Sequence, residues 1–274
     1  MIEFYKIGSQ WYKDSGVDKN SGLFEANIIQ NELENIKCDK NVLIILSGKF
    51  YNKAENDALL AKLSDFDTRI FIATDIIAFQ DNIDIIERCQ YLLHQSTRKN
   101  ILNNANVIEL YSWVPEIFYT YCKQPNTIKD NKLIFGGGVR DNESKILDYL
   151  NSVPSVSYLK TETVDNRLQY KDYLKELSKH KFALVIARKS YEQLHWVTAR
   201  YCEAIANDVI PICDGNYDAD NHFNAIKIDS NGLYNLYQCL SNSPEYCKKF
   251  LKEQHQRLSC TKNNFRNLII DIVR

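Results

Sequence analysis

The sequence predicts an α/β protein made of two doubly wound, Rossmann-like halves. Three observations lead there. Continuous apolar runs, such as Val42 to Leu46 and Ile70 to Ala73, have the composition of strands buried on both faces. Helical patterns separate these runs. A polar segment with a proline, Lys123 to Asn131, divides one such series from a second and reads as a linker.

The elements follow in order. Met1 to Gly8 is short, apolar and aromatic, and reads as a strand. Between Gly22 and Ile36, the residues Leu23, Ile28, Ile29, Leu33 and Ile36 recur at helical spacing. Val42 to Ser47 reads as a buried strand and Asn56 to Leu63 as a helix. Arg69 to Asp75 is a second buried strand with polar residues at its carboxyl end. Tyr91 to His94 and Val107 to Leu110 complete the first series. In the second series Lys132 to Phe135 is a strand, Gly136-Gly137-Gly138 a turn, and the residues through Ile146 and Leu150 a helix. Val156 to Leu159, Phe182 to Ala187 and Val209 to Cys213 read as strands; Lys171 to Leu177 and Val197 to Ala206 read as helices. Ser243 before Pro244 opens a helix running to about Leu258, with serine as N-cap and proline in the first helical position. Phe265 to Val273 is a last apolar helix. Strands alternating with helices form open parallel sheets, which hold ligands beyond the carboxyl ends of the strands. The sequence therefore places a ligand cleft between the two halves.

Composition narrows the class. The 274 residues suffice for two modest domains with real cores. Hydrophobic residues at 45% and charged residues at 25% exclude disordered, collagen-like and coiled-coil chains. No apolar run approaches the ~18 residues of a membrane span. Met1 to Tyr12 lacks signal-peptide features, so a soluble, intracellular protein is expected. The eight cysteines form no CxxC pair and no zinc spacing. They read as reduced core thiols of a reducing compartment. The 34 basic and 35 acidic residues give a net charge of −1, which by itself offers no support for nucleic-acid binding. The basic residues available for a local patch are Arg69, Arg88, Arg98 with Lys99, Arg188 with Lys189, and Lys49 with Lys53. Lys179-His180-Lys181 reads as a solvated face.

Three constellations carry chemistry. Gly136-Gly137-Gly138 after a strand lets backbone amides approach a phosphate, and Arg140 pairs with such an anion; a plain strand-to-helix turn has the same pattern. Arg200 and Glu203 are three apart and share a helix face. A carboxylate there suits the two hydroxyls of a ribose and an arginine suits a diphosphate, although the spacing equally describes a surface ion pair. Asp75 ends a buried strand, where an aspartate serves as a general base or, more commonly, as a turn cap.

In this order the constellations resemble the DNA β-glucosyltransferases of T-even bacteriophages, two-domain glycosyltransferases of the GT-B type. The likeness covers Leu133 to Gly137, Arg140 and Glu143-Ser144-Lys145. It continues through Phe182 to Ala187, Tyr191, Arg200 to Glu203, Ala206, Asp208, Ile212 to Asp214, His255 and Thr261-Lys262. In the first half it rests on Thr74-Asp75-Ile76, Asn106 to Glu109 and Pro115-Glu116. The loop after Arg140 is shorter than the family's, Gly138 replaces a family serine, and Glu25 is the nearest match to a family acid.

The resemblance implies a GT-B fold with two Rossmann-like domains facing a cleft: an acceptor domain over 1–125, a UDP-sugar domain over 132–258, and a C-terminal helix over 259–274 that packs back on the first domain. It implies Asp75 as the general base. Gly137, Gly138, Arg140, Tyr191 and Arg200 surround the UDP diphosphate, and Glu203 holds the ribose. Sugar passes with inversion from a UDP-sugar to the hydroxymethyl group of a base in double-stranded DNA, with 5-hydroxymethylcytosine as the expected target. No cofactor or bound metal is required, and stimulation by a divalent metal is compatible with the site. A monomer in the cytoplasm of an infected bacterium, with no membrane partner, completes this expectation. Two other classes remain open: a GT-B enzyme with a non-DNA acceptor or an already glycosylated base, and a catalytically silent nucleotide-sugar binder.

Overall fold

The computed structural model describes residues 1–7, 29–47, 53–73, 76–98, 100–111, 122–125, 128–137, 143–154, 156–160, 168, 170–186, 189–215, 217–218, 221–229, 231–259 and 262–274. The chain divides into two compact units, Met1–Phe118 with Thr261–Arg274, and Tyr119–Cys260. Each carries a five-stranded sheet whose strand pairs are all parallel.

In the first unit, β1 (Ile2–Ile7), β2 (Val42–Ser47), β3 (Thr68–Ala73), β4 (Tyr91–His94) and β5 (Ile108–Tyr111) lie side by side in chain order. The residues Val42 to Leu46 and Ile70 to Ala73 are at most 1% exposed. Side chains alternate along a strand, so burial of every residue means that both faces of the central strands are covered. Burying each large apolar side chain contributes about 1.5–3 kcal/mol. The edges are more polar: β1 carries exposed Glu3, and Ile108 in β5 is 52% exposed. Helices α1 (Lys53–Lys62), α2 (Ile76–Gln80) and α3 (Ile83–Ile86) lie between these strands in the chain. Arg69 does not present its charge to a partner. Its Nη1 donates to the carbonyls of Leu63 at 3.1 Å and Phe66 at 3.4 Å, which closes the short 3-10 turn Leu63–Asp65 ahead of β3.

The second unit has the strand order β10-β9-β8-β6-β7. Its strands are β6 (Asp130–Gly137), β7 (Val156–Lys160), β8 (His180–Val185), β9 (Ile210–Cys213) and β10 (Ile226–Lys227). From β6 the chain moves outward to β7, then crosses back to place β8 on the other side of β6. The carboxyl ends of β6 and β8 therefore form a topological switch point, where open α/β sheets bind ligands. Helices α4 (Glu143–Ser152), α5 (Tyr170–Ser178), α6 (Lys189–Gln193) and α7 (Ala199–Ala206) occupy the crossovers, followed by α8 (Gly232–Ser241) and α9 (Pro244–Ser259). The Ser243 carbonyl accepts the Cys247 N–H at 3.1 Å, so α9 starts where the Ser-Pro pair predicts. The last helix, α10 (Lys262–Val273), belongs to the first unit and buries Phe265, Ile269 and Val273, one turn apart on one face. Its Arg266 donates to the Glu32 carbonyl at the end of a helical stretch over 29–33, whose Ile29 and Leu33 are also buried.

Two local expectations are corrected. β6 begins at Asp130, inside the polar segment read as linker. That segment is held down because the Lys129 ammonium donates to the carbonyls of Ser178 at 2.7 Å and Asn207 at 2.6 Å, at the ends of α5 and α7. His180 is only 3% exposed, not solvated. Its Nδ1 donates to the Glu176 carbonyl and its Nε2 accepts from the Ser157 hydroxyl, both at 2.9 Å, while Lys179 and Lys181 on either side are exposed. Alternation along β8 turns the central residue of a charged triplet inward.

Candidate functional site

In a right-handed crossover a helix runs antiparallel to the strands it connects. The N-termini of α5 and α7 therefore stand at the carboxyl edge of the second sheet, beside the end of β6. This places Tyr173 (first turn of α5), Arg200 and Glu203 (first and second turns of α7) and Gly136 near one another. The side-chain geometry agrees. Arg200 Nη1 donates to the Tyr173 hydroxyl at 3.4 Å, and its guanidinium carbon lies 5.6 Å from the Tyr173 ring centre. The Tyr173 hydroxyl is in turn hydrogen-bonded to the Glu203 carboxylate. A carboxylate can only accept, so the proton order runs from arginine through tyrosine to glutamate.

Gly136 closes this cluster from below. A Cβ there would stand 2.8 Å from Tyr173 Cε2 and 3.3 Å from Arg200 Nη1. The lack of a side chain is thus what lets the tyrosine ring and the guanidinium approach the strand end. Gly137 is the last residue of β6, paired with Lys160 of β7.

The electrostatics favour a fixed positive charge. Burial opposes the Arg200 charge, but the Tyr173 hydroxyl and the Glu203 carboxylate outweigh it, and the guanidinium titrates above its ordinary value. Burial, reinforced by Glu203, pushes the Tyr173 phenol up, so it stays protonated and available as a donor. Tyr191 on α6 is 8% exposed and lies close enough to Arg200 to favour its charge. Glu203 is 4% exposed, so its pairing is no solvated surface bridge.

Helix α7 is held at both ends. At its start, the Thr198 carbonyl accepts from the Tyr217 hydroxyl at 3.2 Å. Tyr217 stacks on Tyr201 with ring centres 6.0 Å apart, and Tyr201 packs on Phe223 at 5.3 Å. At its end, the Asn207 amide donates to the carbonyls of Glu203 at 2.8 Å and Cys122 at 3.0 Å, while its oxygen accepts the Gln124 N–H at 2.9 Å. These bonds fix the register that gives Arg200 and Glu203 a common face.

A second pair stands at the same edge. Asp214, immediately after β9, is 1% exposed and bonded to the ammonium of Lys145, in the first turn of α4, at 2.7 Å. Burial pulls the Lys145 charge down, the Asp214 hydrogen bond and charge pull it up more strongly, and the ammonium titrates above its ordinary value.

Of the residues expected from sequence, the structure brings Arg200, Glu203 and Tyr191 into one neighbourhood, with Gly137 at the end of β6. Asp75, Gly138 and Arg140 lie outside the described residues. Sequence reasoning missed Tyr173, because one tyrosine in an amphipathic helix carries no motif. It quoted Lys145 and Asp214 only as resemblances and did not pair them. Among the described residues no group of three or more His, Cys, Asp or Glu side chains is placed to hold a metal ion, and no helix is long and apolar enough to cross a membrane.

No protein-family model and no curated protein matches the chain. Solved structures do. A T4 phage β-glucosyltransferase, described for substrate binding and a proposed catalytic mechanism, superimposes with a TM-score of 0.59 at 15% identity, covering 99% of both chains. An α-glucosyltransferase in complex with UDP and a 13-mer DNA containing an HMU base gives 0.60 at 10% identity, covering 100% of this chain and 99% of that one. An α1,3-fucosyltransferase gives 0.55 at 12% identity, covering 92% and 82%. At these identities the likeness is one of architecture. The chain thus has the two-sheet parallel α/β fold of the GT-B glycosyltransferases, and the T-even resemblance seen in its motifs extends to its whole fold.

Proposed function

We propose that the chain is a UDP-sugar-dependent glycosyltransferase that moves glucose or a related sugar, with inversion, onto the hydroxymethyl group of a modified base in phage DNA, 5-hydroxymethylcytosine above all. The observation that carries the donor half is the Gly136–Tyr173–Arg200–Glu203 cluster at the switch point of the second sheet. A nucleoside diphosphate needs a cation for its phosphates, a carboxylate for its ribose and a backbone free of side chains for close approach. Arg200, Glu203 and the Gly136-Gly137-Gly138 strand end answer these needs in turn. Arg140 adds a second cation and Tyr191 a hydroxyl beside the phosphates. The acceptor half rests on neighbours of known substrate: one is a DNA-bound glucosyltransferase carrying UDP.

The reaction follows from these roles. The Asp75 carboxylate accepts the proton of the acceptor hydroxyl. The oxygen then attacks the anomeric carbon from the face opposite the nucleotide, a carbon–oxygen bond forms, and the bond to the β-phosphate breaks. The electron pair leaves with UDP, whose charge Arg140 and Arg200 offset. General-base assistance of this kind is worth about 10²–10⁴ in rate. The two arginines supply the charge compensation that a divalent metal provides elsewhere, so a metal acts at most as a stimulant. The enzyme works as a monomer in the cytoplasm of the infected host. The first unit serves as the acceptor domain and the second as the donor domain.

The test is UDP release from UDP-glucose with duplex DNA containing 5-hydroxymethylcytosine, against unmodified DNA. Release with the modified DNA alone, abolished by Asp75→Ala with UDP binding intact, is expected. Equal release with both DNAs, or full activity of Asp75→Ala, refutes this assignment. A second reading, a non-DNA or already glycosylated acceptor, is favoured by the net charge of −1 and by the fold shared with a fucosyltransferase. It predicts UDP release that ignores DNA and depends on a glycan or small-molecule acceptor.

A further inference from the structure

We propose that Tyr173 is a positioning residue that makes the donor site selective for a ribonucleotide over its 2′-deoxy counterpart. The inference rests on Glu203 being the ribose carboxylate, and it concerns what gives that carboxylate a defined orientation. The side chains of Arg200 and Glu203 lie one turn apart on one helix face and, left to themselves, would meet in a direct ion pair. Tyr173 is inserted into that pairing. Its hydroxyl accepts from Arg200 Nη1 at 3.4 Å and is hydrogen-bonded to Glu203, which leaves arginine and glutamate each attached to a neutral phenol.

The insertion has a chemical consequence. A direct pair would spend the charges of both side chains on each other. A bridging phenol holds them apart, so the guanidinium keeps donors for a diphosphate and the carboxylate keeps acceptor capacity for ribose hydroxyls. The ring is locked in turn. Tyr173 Cε2 lies so close to Gly136 that only glycine fits there, and α5 presents the ring from its first turn. A carboxylate fixed in this way rewards a sugar that offers two hydroxyls in the right place and penalises one that offers a single hydroxyl. Phenylalanine at 173 keeps the ring and its packing but removes the bridge. Arg200 and Glu203 are then free to close on each other.

The test uses calorimetric titration of the full chain with UDP and with 2′-deoxy-UDP, for the wild type, Tyr173→Phe and Glu203→Gln, together with kcat and KM for UDP-glucose. The wild type is expected to prefer UDP, and Glu203→Gln to lose most of that preference. Tyr173→Phe is expected to lower the preference about tenfold, the scale of one charge-assisted hydrogen bond. Its KM should rise by a similar factor, with kcat within about threefold of wild type and no large shift in melting temperature. If the wild type discriminates, Glu203→Gln abolishes it, and Tyr173→Phe keeps it in full, Tyr173 is not the positioning residue and the proposal fails alone. If neither wild type nor Glu203→Gln distinguishes the two nucleotides, the ribose role of Glu203 fails and takes the proposal with it. Should Tyr173→Phe not fold, Tyr173→Leu is held to the same outcomes.

Discussion

Replacing Gly136 by alanine tests the geometry of the donor site without touching a charge. The added methyl would sit 2.8 Å from Tyr173 Cε2, and carbon atoms settle at about 3.5–4.0 Å, so the ring must retreat by roughly 0.8 Å. It cannot swing freely, because its hydroxyl is bonded to both Arg200 and Glu203. Arg200 Nη1, 3.3 Å from the same methyl, must give way as well. Overpacking of this kind costs about 1–3 kcal/mol, which for a unit of this size lowers the melting temperature by roughly 2–10 °C. A displacement approaching 1 Å in a positioned site costs up to about 10²-fold, so UDP affinity should fall by about 10- to 100-fold. Thermal unfolding followed by circular dichroism reads the first effect and calorimetry with UDP the second. The cause is checked in a Tyr173→Leu background, where the methyl meets a smaller side chain and the alanine should cost less than half as much stability. A Gly136→Ala protein that melts with the wild type and binds UDP within twofold would refute the reasoning.

Other predictions concern the frame. His94 at the end of β4 is 2% exposed, and burial drives its imidazole down to about 4. Its Nδ1 accepts the Ser96 N–H at 3.2 Å, which favours the neutral ring with its proton on Nε2, 3.7 Å from Glu109. The unfolded chain takes up this proton near pH 6.5 and the folded chain only near 4, so stability falls as pH drops through that window, by about 3 kcal/mol in all, and levels off below it. His94→Gln should flatten the dependence in denaturant titrations between pH 6.5 and 4; an unchanged slope contradicts the assignment. Lys129→Met removes the donor from two helix-end carbonyls and should cost about 1–3 kcal/mol by the same assay, whereas a loss below 0.5 kcal/mol would show that these bonds contribute little.

Much of the fold was legible because the core strands are written as unbroken apolar runs. Val42 to Leu46, Ile70 to Ala73 and Phe182 to Val185 are buried strands in the structure as in the reading. What escaped has physical reasons. β10 spans two residues, too short for any period. α8 was passed over although Leu233, Tyr237 and Leu240 recur at helical spacing and are buried, a signal that was available. His180 was misread because its lysine neighbours advertise solvent while strand alternation turns the middle residue inward. In the site, Arg200 and Glu203 announced themselves by spacing. Tyr173 did not, since its importance arises from tertiary contact with Gly136 and α7 and not from local pattern. The same holds for Asp214 and Lys145, far apart in sequence and joined only at the carboxyl edge of the sheet.

The most direct test of the account is a crystal structure of the chain with UDP. The diphosphate should lie within hydrogen-bond distance of the Arg200 guanidinium and over the Gly136-Gly137-Gly138 strand end, and the ribose hydroxyls should meet the Glu203 carboxylate while Tyr173 still bridges arginine and glutamate. UDP bound elsewhere on the chain, or with its ribose turned away from Glu203, would contradict it.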